Sequence, residues 1–418
     1  MKKLAGRGLG LLSEFSIPLI SGVVVALLWA NIAPETYEAL AGERPLDLVG
    51  VHGAEWLDFH FLVNDLFMAF FFGIATKEIV ESVLPGGALN PPKKAVNPLL
   101  ATLGGVLGPI VVYLVFVLVR GDAALTRGWG IPTATDIALA WLAARMVFGK
   151  GHPAVSFLLL LAVADDAIGL GIIAVFYPDP AQPVQPVWLL GVLAAMIAAR
   201  RLHKLQVSSP WLYLLGPGLM SWYALHSAHL HPALALVAVV PFMPHATHDE
   251  GVFQHEDGAP IQCDTLNRFE RAFRIPVDLG LFAFGLVNAG VRFSGVGDAI
   301  IVVLLVLIVG KTFGIFGFAL MAQRLGFPLP QGMNRRSLFV AGMTGALGLT
   351  VALFVAGVAF TDASLVGAAK MGALGSALAA PLAFIAGRVL RVRDVETAAA
   401  TQVTPSAEVT PHLGGQNI

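Results

Sequence analysis

Apolar stretches of about 20 residues alternate along the chain with short segments holding charge, proline and glycine, and no other signal in it is as strong. Twelve such stretches stand out, at 15–33, 58–84, 96–119, 124–144, 153–176, 186–200, 210–224, 229–243, 268–290, 298–322, 335–360 and 363–388. The seventh and eighth are short and closely spaced. At about 1.5 Å of rise per residue, most of the others reach across a bilayer. The pattern predicts an all-α polytopic membrane protein with about 12 transmembrane helices. No small-residue cleavage site follows the run Ile17–Ile32, so it reads as the first span and not as a signal peptide.

Two spans break their own pattern. The fourth contains GWGIPTATDIALAW, where Pro132 ends or kinks a helix and Thr133, Thr135 and Asp136 then place polar groups at depth. The eleventh contains AGMTGALGLTVALF, where Gly342, Gly345 and Gly348 with Thr344 and Thr350 weaken the helix. Unwound backbone survives at membrane depth only where protein or a water-filled cavity covers it. Spans 3–5 and 10–12 thus form two triplets, each with an interrupted middle member. The odd offset between them reverses their topology. Paired interruptions of this kind point to a transporter binding site at an inverted-repeat interface.

The loops carry the orientation. With the N-terminus inside, 19 of the 26 basic residues fall on the cytoplasmic side. Arg44, Arg120, Arg127 and Arg292 fall opposite, and Lys77, Lys311 and Lys370 lie within spans. That bias supports twelve spans with both termini inside. The outer loop 34–58 is acidic, and its segment LDLVGVH is a candidate β-hairpin. The inner loop 245–267 is polar and rich in His, Asp and Glu. Beyond Arg393 the sequence loses periodicity, so 394–418 reads as a disordered cytoplasmic tail, with 1–393 a single unit.

Composition narrows the class. The chain is 56% hydrophobic and 13% charged, about half the roughly 25% charge of a soluble domain. A formal net charge of −1 with no basic stripe gives no reason to expect nucleic acid. The lone cysteine, Cys263, excludes an internal disulfide and a cysteine-rich metal site.

Against that background the charges inside spans stand out. Asp165 and Asp166 are the sole charges in the run Ala154–Phe176. A charged side chain at mid-membrane costs about 2.5–3.5 kcal/mol on insertion scales, so two adjacent ones imply a use in binding cations or carrying protons. Adjacent carboxylates titrate as a coupled unit, which suits exchange of a proton for a cation. Asp136 or Thr135 is placed to cap the half-helix after Pro132 and to offset its positive end. Lys311 lies mid-span and needs a carboxylate or helix C-terminal carbonyls; Asp165 or Asp166 would serve. In span two, Lys77 and Glu81 are one turn apart and are expected to pair. Asp278 and Lys370 read as interface or snorkelling residues. His226, His229 and His231 lie on one side of the membrane and His245, His248 and His255 on the other, so neither set completes a recognised metal site. A pH-responsive role for the inner histidines is the commoner chemistry.

Several stretches, taken together, resemble the NhaA family of bacterial sodium/proton antiporters. They are Asn64–Asp65 with MAFFFGI, then GWGIPTATDIALA, LAVADDAIG, HLHPALALV, LFAFGLVNAGV, VGKTFGI, GALGLTVALFVAGVAF and KMGALGSA, in family order over roughly 15–390. The resemblance implies an electrogenic Na⁺ (Li⁺)/H⁺ antiporter of the bacterial inner membrane. It implies Asp165 and Asp166 as the cation- and proton-binding pair, with Thr135 beside them. Spans four and eleven would cross there, Asp136 offsetting positive helix ends and Lys311 offsetting negative ones and pairing with Asp165. Spans 3–5 and 10–12 would move as a core (96–176 and 298–390). The rest (15–84 and 186–290) would form a panel that mediates homodimerisation, helped by the outer hairpin. Asp65, Lys77, Glu78, His231 and Glu270 become candidates for accessory or pH-response roles. No cofactor is implied beyond the transported ions, and membrane lipid is the other partner. Two other readings remain: a Na⁺-coupled carrier of another solute, and an intramembrane aspartyl protease, which needs its two carboxylates on different helices and so is poorly served by the adjacent Asp165 and Asp166.

Overall fold

The computed structural model describes residues 17–42, 58–85, 92–149, 151–178, 182–245, 264–293 and 298–392. Most of these residues are helical, and there is no strand among them. In chain order the helices are α1 (Ile17–Ile32), α2 (Pro34–Gly42), α3 (Phe59–Val83), α4 (Pro92–Arg120), α5 (Ala123–Thr133), α6 (Ile137–Phe148) and α7 (Pro153–Phe176). They continue with α8 (Pro186–Lys204), α9 (210–227), α10 (Thr265–Asn288), α11 (298–324), α12 (Arg335–Thr344), α13 (Thr350–Ala359) and α14 (Ala363–Val389). Six of the described helices are long and apolar enough to cross a bilayer, and the bent pair α5–α6 makes a seventh. The chain is a multi-pass membrane protein, as its hydrophobic pattern predicts.

The two interrupted spans are interrupted where the sequence placed the breaks. α5 is a tight 3-10 helix in which Pro132 leaves helical geometry, and the axis turns by 59° into α6. α12 ends at Thr344 and α13 begins at Thr350, with Gly345–Leu349 between them. Two half-helix starts are capped by side chains. Asp136 caps α6 through Leu139 N–H, and Asn334 caps α12 in a reciprocal box with Ser337.

One expected span is different. Residues 229–243 do not form an α-helix; they wind in turns, with short 3-10 pieces at Pro232–Leu234 and Val240–Phe242. Pro232 and Pro241 remove two backbone donors from a stretch of 15 residues, which leaves too few consecutive donors to sustain an α-ladder. The outer loop begins as the helix α2; the candidate hairpin LDLVGVH lies outside the described residues. The 394–418 tail and the inner-loop residues His248 and His255 lie outside them as well.

Packing is tightest where side chains are smallest. Gly104 and Gly108 on α4 face Gly310 and Gly314 on α11, two matched small-xxx-small pairs. A methyl group at Gly310 would sit 2.9 Å from the Pro109 Cα. That seam draws α11 against α4 at the turn that bears Lys311. Val306–Lys311 is itself wound as a wider π-helical turn, as is Leu62–Phe67 in α3. The buried core runs from α3 through α7 to α13. The faces of α4 and α8 that carry Val111, Val115, Leu118, Leu190, Leu193 and Ile197 are exposed.

Candidate functional site

The two breaks touch each other, and the charged side chains collect where they do. Asp136 donates its backbone N–H to the Leu347 carbonyl at 2.7 Å, tying the first break to the second. Its carboxylate accepts from Leu139 N–H at 3.1 Å with one oxygen and from the Thr350 hydroxyl with the other. Leu139 lies in the first turn of α6, and Thr350 opens α13. One carboxylate therefore sits between two helix N-termini, whose free N–H groups and partial positive charge it offsets.

Lys311 does the complementary work. Its ammonium donates to the Thr133 carbonyl, the last of α5, at 2.8 Å. It also lies 2.7 Å from Asp165 Oδ2, and both side chains are fully buried. A helix C-terminus carries partial negative charge, so a cation there is favoured twice, by the carbonyl and by the carboxylate.

Thr135 joins these parts. Its hydroxyl lies 2.6 Å from Asp165 Oδ2 and 2.8 Å from the Gly345 carbonyl. A hydroxyl has one proton, so it donates to one of these oxygens at a time. The same Asp165 oxygen thus serves lysine and threonine, while Asp165 Oδ1 has no hydrogen-bond partner. Asp166 Oδ1 is buried and unpartnered too. Asp166 borders a narrow crevice with Phe71, Phe72 and Ala75 of α3, Leu170 of α7 and Val351 of α13. Buried carboxylate oxygens almost always have a partner, and two open ones on adjacent residues are suited to receive a hard cation or a proton.

The remaining candidates separate from this cluster. Lys77 pairs with Glu81 at 2.6 Å, as expected, and also reaches Glu270 at 2.9 Å and Glu78 at 3.3 Å. These four residues form a cluster of their own between α3 and α10. Asp65 lies in the π turn of α3, where its backbone carbonyl accepts from the Trp222 indole at 3.3 Å. The His231 ring packs edge-on against Phe354 of α13, with centroids 5.6 Å apart. Lys370 reaches Asn288 Oδ1 at 3.3 Å, and Asn288 in turn donates to Asn64 Oδ1 at 2.8 Å. This amide chain links α14, α10 and α3. Asp278 is half-buried on α10.

Sequence reasoning named helix C-terminal carbonyls as a partner for Lys311, and the Thr133 carbonyl is one. It did not identify which carbonyls, because those of Thr133, Gly345 and Leu347 carry no side-chain signature. Thr350 was visible as a helix-weakening residue, but its partner 214 positions away was not.

Comparison with known proteins gives this arrangement a family. The model for "Na+/H+ antiporter 1" matches residues 13–387. The Na(+)/H(+) antiporter NhaA of Geobacter metallireducens is 56% identical over 389 residues, covering 93% of this chain and 99% of the relative. That of Geobacter sulfurreducens gives the same identity and coverage. The protein of that name from Jannaschia sp. is 44% identical over 92% of this chain and 98% of its own length. This chain, matched nearly end to end, belongs to the Na⁺/H⁺ antiporter 1 family.

Proposed function

We propose that this protein expels Na⁺, and Li⁺ with it, in exchange for protons, by alternating access through the Asp165–Asp166 site. The observation that carries the reading is the pair of open, buried carboxylate oxygens beside two helix breaks whose end charges Asp136 and Lys311 offset. Asp165 Oδ1 and Asp166 Oδ1 would offer oxygens to a desolvated Na⁺, and the Thr135 hydroxyl a third. Na⁺ entering from the cytoplasm displaces protons from the pair. When the site faces outward, protons displace Na⁺ in turn. Carboxylates that hold either species but not both couple the two fluxes. More than one proton per Na⁺ makes the exchange electrogenic. The activity would contribute to cytoplasmic pH and sodium homeostasis.

The wider architecture belongs to the same proposal. Twelve spans would cross the bacterial inner membrane with both termini cytoplasmic. Spans 3–5 and 10–12 would be inverted repeats whose interrupted members cross at the site. The core, 96–176 and 298–390, would move against the panel, 15–84 and 186–290, and the panel would pair two copies in a homodimer. Asp65, Lys77, Glu78, His231 and Glu270 would act as accessory or pH-response groups outside the transport site. Support comes from the reach of Lys311 and Asp136 to opposite helix ends, and from the family membership itself.

Proteoliposomes loaded with a ΔpH-sensitive dye test this directly. Na⁺ or Li⁺ should dissipate an imposed pH gradient, with K⁺ as the comparison ion, across a pH series. Asp165→Asn and Asp166→Asn should each reduce the response to the protein-free level while leaving the protein folded. Wild-type transport by both variants would overturn the site.

A further inference from the structure

At the junction of α11 and α12, away from the transport site, lies a cleft of about 190 Å³, lined by Leu320, Gln323, Arg324 and Arg335. That is the bulk volume of about six waters. Two arginines and a glutamine line it with Leu320, and no acidic residue does. Neither arginine has a carboxylate partner among the described residues. The α12 N-terminus adds little, because the Asn334 side chain already takes Arg336 N–H and Ser337 N–H, each at 2.9 Å. The anion-binding chemistry of the cleft is therefore that of the two arginines, whose planar forks match phosphate oxygens.

The position of the cleft narrows the ligand further. Arg324 ends a helix long and apolar enough to span the bilayer, so the cleft opens at the membrane boundary. From it an apolar strip descends along α11 at helical spacing, through Leu320, Phe316 and Phe313. Phe339 of α12 closes against the strip, with ring centroids 5.7 Å from Phe316 and 5.9 Å from Phe313. Phe313 is 58% exposed, so the lower strip faces outward. A free phosphate would use only the upper end of this surface. An amphiphile with a phosphate head and an acyl tail would use all of it.

We propose that Arg324 and Arg335 bind the phosphate headgroup of an acidic phospholipid whose acyl chain lies along Phe313, Phe316 and Leu320. Basic pockets between spans at a membrane boundary recognise acidic headgroups by this combination of charge and apolar contact. The bound lipid bridges α11, which bears Lys311, to α12, which leads into the Gly345–Leu349 break. It braces the two elements against each other from outside the transport site.

Native mass spectrometry and thermal unfolding of the full-length protein in detergent, with phosphatidylglycerol or phosphatidylcholine added, test the proposal without relying on transport. Phosphatidylglycerol should be retained and should raise the unfolding temperature; phosphatidylcholine should do so far less. R324Q/R335Q should weaken phosphatidylglycerol retention roughly thirtyfold, from about 1 kcal/mol for each of the two basic residues. R268Q/R271Q, which removes the same charge on α10, should not. Phe313→Ser should weaken lipid retention a few-fold. Inorganic phosphate should give no stabilisation. Equal retention by wild type and R324Q/R335Q, or equal loss in R268Q/R271Q, would overturn the site. Stabilisation by phosphate as large as by the lipid, or unchanged retention in Phe313→Ser, would overturn the lipid assignment.

Discussion

Two buried clusters in this protein have the same make-up, one lysine and three carboxylates, and opposite wiring. Around Lys77 all three glutamates reach the ammonium, at 2.6, 2.9 and 3.3 Å. Around Lys311 only Asp165 does. Asp136 is held by Thr350 and the start of α6, and Asp166 keeps an oxygen with no partner. The glutamates also keep some solvent contact, with side chains 10–21% exposed, whereas Asp165 has none. Composition alone does not make an exchange site. What distinguishes the centre is that its carboxylates are divided among separate tasks, which leaves Asp165 and Asp166 each with an unpartnered oxygen.

The comparison breaks most sharply at Lys311. Lys311→Gln leaves Asp165 buried beside a neutral group, and losing one partner of a buried pair costs about 3–5 kcal/mol. Purified variant protein should unfold at a much lower temperature, and dye-monitored transport should fall by two orders of magnitude or more. Next comes the junction that creates the division of labour. A methyl group at Gly348 would lie 2.6 Å from the Ala134 carbonyl and 3.2 Å from Leu307 Cδ2. Gly348→Ala should therefore cost about 1–3 kcal/mol through overpacking. It should slow Na⁺-driven proton release roughly tenfold by pushing the two breaks apart. An unchanged rate would mean that the breaks tolerate separation.

Smaller effects are expected at the other lysine. Glu81→Gln removes the shortest of three contacts but leaves Lys77 with two carboxylates, and should cost about 1 kcal/mol. The Na⁺ concentration for half-maximal transport should stay within about twofold, because the central wiring is untouched. Glu78→Gln, at the longest contact and the most exposed position, should cost a few tenths of a kcal/mol. A shift in apparent Na⁺ affinity as large as that of an Asp166 variant would erase the distinction between the clusters. The distinction is sharpened by pH. If Na⁺ and protons compete for Asp165 and Asp166, half-maximal Na⁺ rises as pH falls, by up to about tenfold per unit for each competing proton. Glu81→Gln should leave that slope unaltered.

Much of this was legible before any fold was known. Hydrophobic runs placed α3, α4, α7, α10 and the two broken spans within a few residues, because a bilayer demands long apolar stretches and leaves little room for alternatives. Asp165, Asp166 and Lys311 stood out because charge is rare at depth. Span-long periodicity did not reveal the turns at 229–243, where prolines act locally inside an apolar run. Nor did it reveal the π-helical turn that carries Lys311, which shifts the helix by a fraction of a turn with no change in composition. The third partner of Lys77, Glu270, comes from another helix; the sequence named it only by family resemblance. Long-range pairing is decided by packing, and packing is not written in local order.

The hydrogen bonds that join the breaks have a consequence for how the protein is made. Thr135 and Gly345 are 210 residues apart. At about 5–20 residues per second, the ribosome completes the second break roughly 10–40 s after the first. For that interval Asp136 and Thr135 sit in a growing membrane chain without Leu347, Gly345 or Thr350 to meet them. The half-made protein must therefore keep these groups in water, in the insertion machinery or against earlier spans until α12 and α13 arrive. Assembly of the proposed transport site is accordingly one of the last events of synthesis, and a chain stopped before residue 345 cannot form it.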